Sequence, residues 1–135
     1  YGMNTTSSEE QRQTILVVED DHELQDMYTR RFIHDGYTVL QSLNGADGLV
    51  QALDRRPDLI LLDVRMPGMS GVEMLRRLRE HDEWGAHVPV ILVTNMEVDD
   101  PDEKAYIEAT EPNYYLLKSN TNLNDLMEKI HSLIG

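Results

Sequence analysis

Leu59-Ile60-Leu61-Leu62-Asp63-Val64-Arg65-Met66-Pro67-Gly68-Met69-Ser70-Gly71 begins as a continuous apolar run and breaks off at a carboxylate. An apolar run without polar alternation suits a strand covered on both faces by helices. Similar runs flank it: Ile15-Leu16-Val17-Val18 and Tyr37-Thr38-Val39-Leu40 before, Val88 to Val93 (broken by Pro89) and Tyr114-Tyr115-Leu116-Leu117 after. The segments between them carry helical periodicity. Leu24, Tyr28 and Phe32 mark the first apolar face, Ala46, Leu49, Val50 and Leu53 the second, and Val72, Leu75 and Leu78 the third. Asp100 as N-cap, Pro101 in the first turn and Glu103 in capping-box position predict the start of a fourth helix, facing inward through Ala105, Tyr106 and Ala109. Leu123, Leu126, Met127, Ile130, Leu133 and Ile134 form the stripe of the last helix.

Strict alternation of five strands with helices predicts an α/β fold, a doubly wound parallel sheet with right-handed crossovers. In such sheets ligands bind beyond the carboxyl ends of the strands, at a topological switch point. The residues at those ends are Glu19-Asp20-Asp21 after the first strand, Asp63 after the third, Thr94 after the fourth and Lys118 after the fifth. A parallel sheet brings them to one edge. Crowded carboxylates cannot all ionise cheaply, and a hard divalent cation with oxygen ligands, Mg²⁺, resolves the conflict. With no His or Cys at the strand ends, zinc is disfavoured. A carboxylate, a metal, a lysine and a hydroxyl suit phosphoryl transfer onto a carboxylate oxygen. Together these groups make a metal-assisted acyl-phosphate site, with the nucleophile left open.

Composition sets the bounds. The chain has 135 residues, which favours a single domain, and no cysteine, which excludes a disulfide framework or a thiolate-bound metal. Its apolar runs are too short to span a membrane. The net charge of −13 opposes direct binding to nucleic acid or to an anionic membrane. Residues 1–13 read as a polar, disordered lead-in, with Tyr1-Gly2 before Met3 resembling a cloning remnant, and 14–135 as the domain. Without a visible signal peptide, a cytoplasmic location is the default expectation. Whether the chain stands alone or is cut from a longer one stays open.

Ile15-Leu16-Val17-Val18-Glu19-Asp20-Asp21 resembles the first strand and acidic pair of response-regulator receivers, the switch domains of two-component signalling. Leu61 to Gly71 resembles their phosphorylation loop, Val93-Thr94 their switch hydroxyl, and Tyr115-Leu116-Leu117-Lys118 their switch aromatic and lysine. The likeness covers about residues 14–134, and several motifs in order are more specific than one. It implies a (βα)5, flavodoxin-like fold with strand order 2-1-3-4-5. It further implies that Asp63 accepts a phosphoryl group from a histidine kinase or phosphotransfer protein, with intrinsic self-phosphorylation and autodephosphorylation. Mg²⁺ would be held by Glu19, Asp20, Asp63 and the backbone carbonyl of Arg65. Lys118 and Thr94 would bind phosphoryl oxygens, and Tyr115 would move inward with Thr94. The surface of the fourth helix, fifth strand and last helix would then change for a protein partner, with dimerisation on phosphorylation left open.

The sequence departs from the family pattern at several points. Ser119 follows the lysine where proline is common, and Asn95 follows Thr94 where a small residue is usual, so Asn95 is expected to narrow access to Asp63. Ala109-Thr110-Glu111-Pro112-Asn113 replaces the usual turn before the fifth strand. Arg65 and Met96 occupy positions that tune phosphoryl lifetime, and their bulk predicts a long-lived adduct. The main alternative is a degenerate receiver, an interaction module independent of phosphorylation. A phosphatase of the haloacid-dehalogenase type wants an acid where Arg65 stands, and a metal-only binding protein would not transfer phosphate. Asp21 reads as an N-cap, Asp99 to Glu103 as capping chemistry, and Tyr114, Trp84 and the five histidines as surface or packing residues.

Overall fold

The computed structural model describes residues 12–95 and 100–135. Strands β1 (Thr14–Val18), β2 (Thr38–Ser42), β3 (Leu59–Asp63), β4 (Val90–Thr94) and β5 (Tyr114–Leu117) form one parallel sheet, ordered β2-β1-β3-β4-β5. This is the doubly wound arrangement with strand order 2-1-3-4-5. The connections carry helices α1 (His22–His34), α2 (Gly45–Arg55), α3 (Gly71–His81), the short α4 (Glu83–His87), α5 (Pro101–Ala109) and α6 (Leu123–Ile134).

Side chains of a strand alternate between faces, and this splits the core in two. Ile15, Val17, Leu59, Leu61, Ile91 and Val93 pack with Tyr28 and Phe32 of α1 and Leu126, Met127 and Ile130 of α6. Leu16, Val18, Ile60, Leu62, Val90 and Leu92 pack on the other face with Ala52 of α2, Val72, Met74, Leu75 and Leu78 of α3, and Ile107 of α5. Every residue of β3 and β4 is buried, as a run covered on both sides requires.

Several helix faces differ from their sequence reading. On α2, Val50 is 67% exposed and Ala46 is exposed, while Gly48 and Ala52 are buried. The helix lies so close to the sheet that a Cβ on Gly48 would meet Val18 Cγ1 at 2.9 Å, so the inward seam is built from small residues, flanked by Leu49 and Leu53. On α5, Ala105, Tyr106 and Ala109 are exposed and Ile107 alone is buried. The fourth strand begins at Val90, after Pro89, rather than at Val88. The short helix α4 was not foreseen; Asp82 caps it, and Trp84 packs on the core with Arg56 5.5 Å above its ring.

Candidate functional site

Register places the strand-end residues together. Val18 pairs with Leu62, Asp63 with Val93, and Thr94 with Leu117, so Glu19, Asp63, Thr94 and Lys118 emerge side by side at the carboxyl edge. Glu19 and Asp63 are only 2% and 4% exposed, and Asp20 is half-buried. One carboxylate oxygen from each of Glu19, Asp20 and Asp63 lies within 4.8 Å of the others. Lys118 Nζ donates to Glu19 Oε1 at 2.7 Å and stands 3.5 Å from Asp63 Oδ2. Burial raises the pKa of both acids; the Lys118 ammonium opposes the rise in each, and the Asp63 charge adds to that at Glu19. Three carboxylates with one ammonium leave excess negative charge in a poorly solvated place. An all-oxygen donor set of this kind fits a hard divalent cation such as Mg²⁺.

The backbone around these acids is fixed by neighbours. Asp21 caps α1, accepting from the Glu23 and Leu24 amides at 2.9 and 3.1 Å, which carries the chain away from the cluster and leaves Glu19 and Asp20 facing it. Glu19 Oε2 accepts from the Asp21 amide at 3.2 Å. Asp63 Oδ1 accepts from the Arg65 amide at 3.4 Å. The loop after Asp63 returns so tightly that the Gly71 amide donates to Val64 O at 2.9 Å. A Cβ on Gly71 would lie 2.0 Å from the Asp63 carbonyl oxygen, so only glycine allows α3 to start there. Gly68 takes φ +77°, which turns the same loop.

Beneath the cluster, Gln25 escaped the sequence reading, and Tyr28, expected as part of the apolar face of α1, lies beside it. Gln25 is buried on α1, and its Nε2 donates to Val17 O and Ser42 O at 3.0 Å each and to Glu19 O at 3.4 Å. It ties the ends of β1 and β2 to the helix behind them. Tyr28, one turn on, is buried; desolvation raises its hydroxyl pKa to about 12, helped by the charges of Glu19 and Asp63. A polar residue one position from an apolar helical stripe was the only available signal for Gln25.

Thr94 is fully buried at the end of β4, and Tyr115 on β5 is 38% exposed, its backbone paired beside Leu92. Asn95 is exposed. Ser119 lies in a 3₁₀ turn, Lys118–Asn120. Arg65 Nη2 lies 3.7 Å from Glu103 Oε1 on α5. Met96 and Asp99 lie outside the described residues. The unusual connection before β5 is held by Arg79, which donates to the carbonyls of Thr110, Glu111, Gly85 and Val88 at 2.7 to 3.1 Å. There Glu111 takes φ +54°, and Asn113 Oδ1 accepts from the Val90 amide at 2.8 Å. Asp100 caps α5 as expected, accepting from the Asp102 amide at 2.9 Å.

Residues 15–131 match the family model described as the response regulator receiver domain. The chain belongs to that family. Its receiver fold is matched by the chemotaxis protein CheY4 of Vibrio cholerae, with TM-score 0.80, 24% identity and coverage of 91% of this chain and 99% of that one. Among curated receiver relatives, the transcriptional regulatory protein YkoG of Bacillus subtilis is 42% identical over 80 residues, 59% of this chain and 34% of that protein. Sporulation initiation phosphotransferase F of the same organism is 38% identical over 80 residues, 59% of this chain and 62% of that protein. The receiver thus spans about a third of the first and less than two thirds of the second. Among the described residues, no helix is long and apolar enough to cross a membrane.

Proposed function

We propose that this receiver is a Mg²⁺-dependent phosphorylation switch with Asp63 as phosphoacceptor. The observation that carries the proposal is Lys118, held between Glu19 and Asp63 at the carboxyl edge of the sheet. An Asp63 oxygen attacks the phosphorus of a phosphohistidine on a histidine kinase or phosphotransfer protein. The new P–O bond forms as the P–N bond breaks, and the imidazole leaves with the electron pair. Glu19, Asp20, Asp63 and the Arg65 carbonyl would hold Mg²⁺, which when bound supplies positive charge against the carboxylates and the phosphoryl oxygens. Lys118 exchanges part of its contact with Glu19 for a phosphoryl oxygen. Thr94 donates to another, and Tyr115 follows it inward. The surface of α5, β5 and α6 then presents a different face to a protein partner. A cytoplasmic setting fits this chemistry, since nothing in it calls for a membrane or for nucleic acid. A bulky Arg65 and an apolar Met96, two residues after Asp63 and Thr94 in the sequence, support a long-lived adduct that resists attack by an in-line water.

The phosphotransferase activity that Sporulation initiation phosphotransferase F is named for supports a phosphotransfer partner. The test is intact mass after incubation with Mg²⁺ and acetyl phosphate. One added phosphoryl group, lost in Asp63→Asn and without metal, is expected. No adduct from protein shown separately to bind Mg²⁺ would favour an interaction module that works without phosphorylation.

A further inference from the structure

Helix α5 is held by unlike contacts at its two ends. At its C-terminal end Ile107 enters the core, the Thr110 hydroxyl donates to Ile107 O at 2.6 Å, and Arg79 grips the Thr110 and Glu111 carbonyls. The Thr110 contacts are buried or half-buried, while the Arg79 bond to Glu111 O is exposed. Toward the N-terminus the helix buries nothing, and two polar contacts cross to the phosphoacceptor side of the fold. Glu103 Oε1 lies 3.7 Å from Arg65 Nη2, and the Tyr106 hydroxyl donates to Glu73 Oε1 at 3.3 Å. Arg65 is two residues from Asp63, and its own amide already donates to Asp63 Oδ1 at 3.4 Å. Glu73 is fixed on α3 by Arg76 and Arg77. The walls of the cleft between α5 and the loop include Arg65, Met66, Glu103 and Tyr106.

We infer that Arg65–Glu103, seconded by Tyr106–Glu73, is a polar latch that keeps the N-terminal half of α5 against the phosphoacceptor loop until Asp63 is phosphorylated. This rests on Asp63 being the phosphoacceptor. Phosphorylation replaces the single charge of Asp63 with a phosphoryl group of charge near −2 on the loop that carries Arg65, and this group outbids the single half-buried carboxylate of Glu103 for the guanidinium. Glu103 then loses its partner, and α5 pivots about its anchored C-terminal end. Being half-exposed, the pair is weak enough for such a release; a buried pair would not be. Glu103 is thus a positioning residue, acting through Arg65.

The test is amide hydrogen exchange at Lys104, Ala105 and Tyr106 in the full chain, with the thermal midpoint recorded for each variant. In unphosphorylated protein, Glu103→Gln and Arg65→Met should each raise exchange at these amides about two- to five-fold, the range of an exposed ion pair. The double variant should exceed neither single one. Exchange at Thr110 should stay as in the parent, which a general loss of stability would not allow. Phosphorylation of the parent should raise exchange to the level of Glu103→Gln, with loading verified by mass in the same sample. Unchanged exchange in Glu103→Gln, additive effects in the double variant, or unchanged exchange in phosphoryl-loaded parent would each overturn the latch. Absence of a mass adduct would overturn the phosphoacceptor reading and the trigger with it, while the unphosphorylated variants still report on the latch itself.

Discussion

Lys118 Nζ and Glu19 Oε1 meet at 2.7 Å although the residues lie 99 positions apart. The contact crosses the sheet edge from β5 to β1 and passes over Asp63, 3.5 Å from the same ammonium. It opposes the rise in pKa that burial causes at both acids, and it places a cation where phosphoryl oxygens would arrive.

Lys118→Met removes that cation while preserving most of the side chain's bulk. Phosphoryl incorporation from acetyl phosphate should slow by about 100-fold, the usual cost of losing one donor to developing charge. Mg²⁺ affinity should rise, because the carboxylates lose their internal counterion. Both are read from mass-resolved time courses and a Mg²⁺ titration followed by tyrosine or tryptophan fluorescence.

Gln25→Leu keeps the size of the side chain but removes its donations to the carbonyls of Val17 and Ser42, the latter still accepting from the Glu19 amide at 3.1 Å. Unfolding in urea should show a loss of about 2 kcal/mol, the cost of losing two buried hydrogen bonds. The acidic loop after β1 should loosen with it, so Mg²⁺ should bind more weakly in the variant.

Tyr28 gives a pH signature. Its hydroxyl titrates at about 12 in the fold against 10.0 ordinarily, so the folded chain keeps a proton that the unfolded chain gives up first. Its contribution is therefore complete below pH 10 and is lost as the pH rises through 12, with a total of about 3 kcal/mol. Thermal midpoints between pH 9 and 12 should fall more steeply in the parent than in Tyr28→Phe. Equal slopes would mean that burial of this ring does not govern its ionisation.

Much of this was legible in the sequence because parallel strands with continuous apolar runs leave few architectures, and because the reactive groups stand at strand ends. Asp63 closes β3 and Lys118 follows β5, so topology alone converges them. The apolar faces of α1, α3 and α6 followed the helical period. The misreadings have a common cause, which is packing distance. Gly48 and Ala52 face the sheet because α2 lies close to Val18, and hydropathy favours Val50 over both. Ile107 is buried on α5 because the helix meets the core near its C-terminal end, so the face chosen from Ala105, Tyr106 and Ala109 turns outward. Gln25 and Arg79 act through backbone carbonyls, which no side-chain pattern records.

The most direct test is chemical trapping at residue 63. After loading with acetyl phosphate and Mg²⁺, borohydride reduces an aspartyl phosphate to homoserine, and peptide sequencing by mass spectrometry locates the change. Homoserine is expected at position 63 and at no other carboxylate, with none formed in metal-free protein. Homoserine at position 20 or 21, with position 63 intact, would contradict Asp63 as the phosphoacceptor.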